Sequence, residues 1–339
     1  ESPSLVSLIV RALFLLFLVY WLMQGMTLGA AISMQLVAEA IGVVLLLFLA
    51  ARRGYPLRPR ANTQLARTLV SQSWPIAASS AFVMIYTKID VLILQALRGS
   101  QEVGYYSVSM RLVDALAIVP SVFMVAVFPI LSHTFRLNQQ NFIKWVRISF
   151  RLLLAVILPI TVIVTFYAAE IIRILYGTDY APSAPVLRIL IWAGIAIYGG
   201  LVFDGALVAS GRQKIGTALY AGMAVINVAL NLMLIPHLGI VGAAWATAIS
   251  YILWAVCAVF IAAIRPIGVV FWRELMIPLV IAFLLGATAY YFDLPLWLAC
   301  LWEVIGFYSG LFLTGVLRTS DLKMIRGIFL KSRDENSAD

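Results

Sequence analysis

The sequence predicts an all-α, polytopic membrane helical bundle with about ten transmembrane helices, and three observations predict it. Of the 339 residues, 63% are hydrophobic and only 12% are charged, against roughly 25% charged residues in an ordinary soluble domain. The mean hydropathy is +1.01, and the apolar residues form continuous runs near the roughly 20 needed to cross hydrocarbon as a helix, without the ten-residue alternation of a membrane β-barrel. The 24 Lys and Arg residues, behind a formal charge of +9, sort by loop rather than gathering on one soluble face. The basic excess is therefore a topology signal and not a nucleic-acid surface.

The candidate spans, in order, lie near residues 5–23, 28–50, 70–95, 103–131, 148–168, 186–210, 215–235, 243–264, 276–292 and 296–317. Connections 51–69, 132–147 and 169–185 are the longest and are too short for a catalytic domain. Basic residues near span ends favour the cytoplasmic side. One set of alternate connections holds Arg52, Arg53, Arg58, Arg60 and Arg67, then Arg136, Lys144, Arg147 and Arg151, then Arg212 and Lys214, then Arg265 and Arg273, then Arg318, Lys323, Arg326, Lys331 and Arg333. The opposite set holds Arg98, Arg173 and Arg188, while Arg11, Lys88 and Arg111 fall inside spans. This 18 to 3 asymmetry predicts a multi-pass plasma-membrane protein with both termini cytoplasmic. The stretch from Arg136 to Arg151 interleaves Phe142, Ile143, Trp145 and Val146 with basic residues, which fits either an amphipathic helix among anionic headgroups or the ordinary end of a span. The short, polar tail from Lys331 is expected to be disordered. The chain opens Glu1-Ser2-Pro3 rather than on Met, and an N-terminal truncation is expected.

No Walker loop, dinucleotide GxGxxG, GxSxG elbow or HExxH is present, so the reading is non-enzymatic, with no catalytic residues. Cys257, Cys300, His133 and His237 are too scattered for a disulfide framework or a metal cluster, and no cofactor is implied. What remains is ionisable residues inside the membrane, which are costly there and so are candidates for function. Lys88 and Asp90 close the third span; Gly104, Ser107, Arg111 and Asp114 follow at i, i+3, i+7 and i+10 of the fourth, which makes a polar stripe on one helix face. A planar guanidinium at Arg111 can grip phosphate oxygens through two donors. The competing reading is a buried Asp90 to Arg111 or Arg111 to Asp114 pair that only fixes packing, and Lys88 can equally snorkel to the headgroups. Glu39, which shares a face with Gln35, and Asp204 are candidates for ion coupling. Asn227 and Asn231 share a face and fit interhelical hydrogen bonding. Glu303 is a further buried acid, and Gly306 and Gly310 form a GxxxG. Prolines 75, 120, 129, 159 and 278 permit bends.

Three stretches resemble a known family: the oligosaccharide flippases, of the O-antigen repeat-unit translocase type, in the multidrug, oligosaccharidyl-lipid and polysaccharide exporter superfamily. They are Ser73-Trp74-Pro75 through Asp90 with Val103-Gly104-Tyr105-Tyr106-Ser107, Arg111-Leu112 and Phe128-Pro129-Ile130-Leu131-Ser132; Ile174-Leu175-Tyr176-Gly177 through Ala184; and Ala209-Ser210-Gly211-Arg212-Gln213-Lys214 followed by Asn227, Asn231, Ile235-Pro236 and Gly239 through Thr247. The likeness covers about residues 62–264. It implies that 1–50 are the last two helices of an incomplete first lobe, 51–69 a basic cytoplasmic linker, 70–264 the second six-helix lobe, 265–317 an additional C-terminal pair and 318–339 a cytoplasmic tail. It also implies alternating access for a polyprenyl-pyrophosphate-linked oligosaccharide in a cationic cavity of a bacterial or archaeal plasma membrane, with membrane lipids and other polysaccharide-assembly proteins as partners. A multidrug cation exporter is the nearest alternative, yet a cationic substrate calls for acidic cavity groups. A membrane-embedded polysaccharide-assembly enzyme would need catalytic groups on a larger outer loop, and a scaffold would be indifferent to losing Arg111.

Overall fold

The computed structural model describes residues 28–52, 67, 70, 81, 84–85, 87–261 and 265–317, and every regular element among them is helical. The first candidate span, most of the third, the basic linker 53–66 and the tail 318–339 lie outside them. The chain divides into two compact units, Glu1–Trp74 and Pro75–Asp339. In the first, α1 (Leu28–Arg52) is an apolar helix with Leu36, Ile41, Val44 and Phe48 exposed.

In the second unit the order is α2 (87–98), α3 (Ser100–Leu116), α4 (Ile118–Leu137), α5 (Gln139–Tyr176), a short 3-10 turn Thr178–Tyr180, α6 (Ser183–Ala209), α7 (Gln213–Phe260), α8 (Arg265–Tyr291) and α9 (Leu296–Leu313). Among the described residues, six helices are long and apolar enough to cross a membrane, with α3 and α4 together forming one of them. The chain is a polytopic helical membrane protein.

Prolines shape these helices. Pro120, near the start of α4, lacks the N–H that would reach the Leu116 carbonyl one turn back, and the hydroxyl of Tyr198 on α6 donates to that carbonyl at 2.8 Å. Pro159 likewise frees the Ala155 carbonyl inside α5, and the Tyr308 hydroxyl of α9 donates to it at 3.2 Å. Each proline-freed carbonyl is thus satisfied by a phenol from another helix, as a membrane interior without water requires.

α7 is two predicted spans in one. A straight helix would put 23 residues about 35 Å apart, yet the Asn227 amide donates to Ser250 Oγ at 3.4 Å. The chain reverses at Gly239, whose φ of 56° and ψ of −133° are open to glycine and strained for other residues. Pro236 precedes the turn, and a Cβ at Gly242 would lie 2.5 Å from the Leu234 carbonyl oxygen, so the reversal is tight. Arg98 at the end of α2 caps the first arm by donating to the Ile235 and Pro236 carbonyls, which the break at Gly239 leaves without helical partners.

Two boundaries differ from the sequence reading. α5 starts at Gln139 rather than near 148, with Asn138 accepting from the Gln140 and Asn141 amides as its N-cap. Phe142, Val146 and Ile148 are buried, which makes the basic 136–151 stretch the end of a span and not a separate surface helix. α8 starts at Arg265 rather than 276 because Ile267, Val270 and Phe271 also pack into the core. α6 runs through the middle, packed by α3, α4, α5 and α7, with Tyr198, Val202 and Phe203 in the main core. The GxxxG of α9 packs inside the bundle: a Cβ at Gly306 or Gly310 would meet Leu285 at 2.8 Å or Ile281 at 2.9 Å.

Candidate functional site

The polar stripe forms and is left open. α3 buries Tyr106, Val108, Ser109 and Val113 against its neighbours. On the other side, Gly104, Arg111 and Asp114 are exposed and Ser107 is half-buried. Lys88 of α2 reaches this face, with Nζ 3.9 Å from Asp114 Oδ2 and both side chains about half exposed. A pair so wet contributes little stability, but it gives Asp114 its cation.

Neither of the expected arginine pairs forms. Arg111 has no carboxylate partner among the described residues. Asp90 points the opposite way from Lys88, since residues two apart on a helix lie about 200° apart. It is 1% exposed, accepts a hydrogen bond from the Tyr106 hydroxyl and takes the Val91 amide at 2.8 Å. Asp90 therefore belongs to the packed interior, while Lys88, Arg111 and Asp114 share an accessible face. The local net charge of that face is positive.

Next to it, α2, the α3–α4 junction, α6 and both arms of α7 enclose a cavity of about 310 Å³. Thr87, Ala117 and Ser121 line it together with Asp204, Tyr220, Tyr251 and Trp254, its acidic and aromatic groups. The Tyr220 hydroxyl donates to Asp204 Oδ2 at 2.5 Å. Tyr220 stacks on Trp254 at 6.5 Å between centroids, and Trp254 meets Phe203 edge to face at 5.0 Å. Asn227 and Asn231 are committed to packing: the Asn231 amide donates to the Asn227 side-chain and main-chain oxygens at 2.9 Å. Glu39 is exposed on α1 in the first unit, and the side chain of Gln35 lies outside the described residues. Glu303 is fully buried in α9, and neither of its oxygens has a hydrogen-bond partner among the described residues.

The sequence reading missed Tyr106, Tyr220 and the aromatic lining. A usable signal exists for the two tyrosines, because a phenol inside an apolar span must find an acceptor, and Asp90 and Asp204 are intramembrane acids that can serve. It also missed Glu274, which lies in a stretch read as a connection.

A family model described as polysaccharide biosynthesis protein matches residues 2–185, more than half of the chain. The chain belongs to this family. Three relatives share 27% identity with it. One is an uncharacterized membrane protein of Methanocaldococcus jannaschii, matched over 57% of this chain and 39% of its own length. Another, from Shigella flexneri, is named "Putative O-antigen transporter" (50% and 40%). The third, from Haloferax volcanii, is named "Probable low-salt glycan biosynthesis flippase Agl15" (55% and 40%). The chain spans about two fifths of the length of these relatives. Among solved structures, the lipid II flippase MurJ in its inward closed conformation matches with a TM-score of 0.64 at 14% identity, over 85% of this chain and 64% of that one. That likeness is one of fold, a polytopic helical membrane bundle.

Proposed function

We propose that the protein is a flippase that moves polyprenyl-pyrophosphate-linked oligosaccharide repeat units across the plasma membrane by alternating access, for surface polysaccharide assembly, with both termini cytoplasmic. The observation that carries this reading is Arg111: a guanidinium within a membrane helix, on an exposed polar face, without a carboxylate partner among the described residues. An unpaired cation is costly there and is kept only where an anion or water meets it. A pyrophosphate supplies the acceptor geometry that a planar guanidinium matches. The adjoining cavity supports the second part of the ligand, since Tyr220, Tyr251 and Trp254 offer flat faces and Asp204 an acceptor for sugar hydroxyls. The family and the names of the relatives support the class of activity. The lipid tail would remain in the bilayer. In this reading the described unit is the second six-helix lobe with its C-terminal pair, 1–50 belong to a first lobe, and Asp204 and Glu39 are candidates for ion coupling.

The test is surface polysaccharide exported per molecule of full-length protein in a strain without its own flippase. Because Asp114 keeps Lys88, Arg111→Ala strands no carboxylate and should leave membrane abundance within about twofold. Export should fall by an order of magnitude, about 1.4 kcal/mol of lost recognition, and Arg111→Lys should recover little of it. Normal export per molecule by Arg111→Ala overturns the assignment.

A further inference from the structure

At the end of the second unit remote from the Arg98 cap, α5, α8 and the turn after α9 enclose a separate cavity of about 230 Å³, lined in part by Arg147, Arg151, Arg273, Glu274 and Thr314. Three guanidiniums and one carboxylate line it. Glu274 is buried, accepts Arg151 Nε at 2.9 Å and has Arg147 Nε at 3.5 Å from its other oxygen. Arg273 is exposed and has no acidic partner among the described residues. One carboxylate neutralises one guanidinium, and the C-terminal end of α9 adds only about half a negative charge. Among the described residues, Arg147 and Arg273 thus leave the cradle with surplus positive charge beside hydrocarbon, an arrangement that calls for an anion with several acceptor oxygens.

A second observation specifies what carries that anion. Ile277 lines the same cavity and is 52% exposed, and Val280 and Leu284 continue the row at 57% and 61% exposure. At i, i+3 and i+7 they form an apolar track along α8 that leaves the cradle in the direction of the bilayer interior. A charged head joined to an apolar track is the shape of an amphiphile. The cavity is large enough for a phosphodiester and too small for an oligosaccharide, and it is built from different helices than the Arg111 face. We propose that this cradle binds the headgroup phosphate of an anionic membrane phospholipid, with an acyl chain along Ile277, Val280 and Leu284. The lipid would tie the C-terminal helix pair to α5 through Glu274 and its arginines. The proposal does not depend on the translocated substrate.

The experiment reconstitutes full-length protein in phosphatidylcholine nanodiscs, adds phosphatidylglycerol, and counts retained lipid by native mass spectrometry. The native protein should keep one phosphatidylglycerol in at least tenfold preference to phosphatidylcholine. Arg147→Gln with Arg273→Gln should abolish the preference. Arg273→Gln alone, which leaves both Glu274 contacts in place and so keeps the fold, should weaken it severalfold. Glu274→Gln, which removes the competing negative charge, should strengthen it. Absence of a preference in the native protein, or an unchanged preference in Arg273→Gln and in the double variant, overturns the proposal. So does stronger retention of polyprenyl phosphate than of phosphatidylglycerol, or equal displacement by free inorganic phosphate.

Discussion

Pro120 and Pro159 each leave a carbonyl without its helical donor, and in each case the replacement comes from a tyrosine far away in the chain. Tyr198 reaches Leu116 across 82 positions and Tyr308 reaches Ala155 across 153. The prolines were legible in the sequence, but their partners were not, because nothing local marks which phenol will arrive. Removing one hydroxyl leaves a buried carbonyl unsatisfied, at a cost of about 1 kcal/mol in a membrane protein. Tyr198→Phe should therefore lower resistance to unfolding in a detergent titration by about that amount, and Tyr308→Phe by less, given its longer bond. Combining Tyr198→Phe with Pro120→Ala, which restores the N–H, should return most of the loss. Strict additivity of the two changes would show that Tyr198 does not serve the proline-freed carbonyl. The same limit applies at the candidate site. Lys88, Arg111 and Asp114 could be placed on one face from helical spacing alone, whereas Asp90 was grouped with them because its partner, Tyr106, sits on the next helix.

At the scale of elements, apolar runs locate the helices among the described residues, and miss the helix ends that carry charged residues yet stay buried. α8 begins at Arg265 because Ile267, Val270 and Phe271 have core partners, which a hydropathy window diluted by Arg265 and Arg273 does not register. The α7 hairpin was legible as two spans around Gly239 to Gly242. The need for glycine there is conformational: Gly239 has a positive φ, and a Cβ on it would also lie 2.8 Å from Glu102 Oε2. Gly239→Ala should cost about 1–3 kcal/mol and loosen the Asn227 to Ser250 contact between the arms. Gly222→Ala, where a Cβ meets nothing within 4 Å, should be neutral or slightly stabilising. Equal stability of the two variants in the same titration would mean that the turn is not strained.

For the whole molecule, helix ends sort into two sets. Arg98 meets the 235–236 carbonyls, Ser183 meets Tyr105, and Tyr167 meets the Leu294 carbonyl, so the 98–100, 176–183, 236–240 and 291–296 connections gather at one end. The 137–139, 209–213 and 260–265 connections belong to the other, where Arg147 and Arg151 meet Glu274. Arg136, Lys144, Arg147, Arg151, Arg212, Lys214, Arg265 and Arg273 lie toward that second end, against Arg98, Arg173 and Arg188 at the first. Arg98 is already spent on capping α7, which leaves the first end poorer still in free cations. In the proposed topology, the positive-inside bias orients the second end to the cytoplasm. Cysteine reporters test this in a background without Cys257 and Cys300. Ser183 is buried beneath Tyr105 and is a poor reporter, whereas Asp179 and Gln213 are exposed. Asp179→Cys should react with a membrane-impermeant maleimide in intact cells, and Gln213→Cys only after the membrane is opened. Reaction of both in intact cells, or of Gln213→Cys alone, would reverse or abolish the assigned orientation. The pyrophosphate-gripping role of Arg111 would then have to be argued from the opposite side of the bilayer.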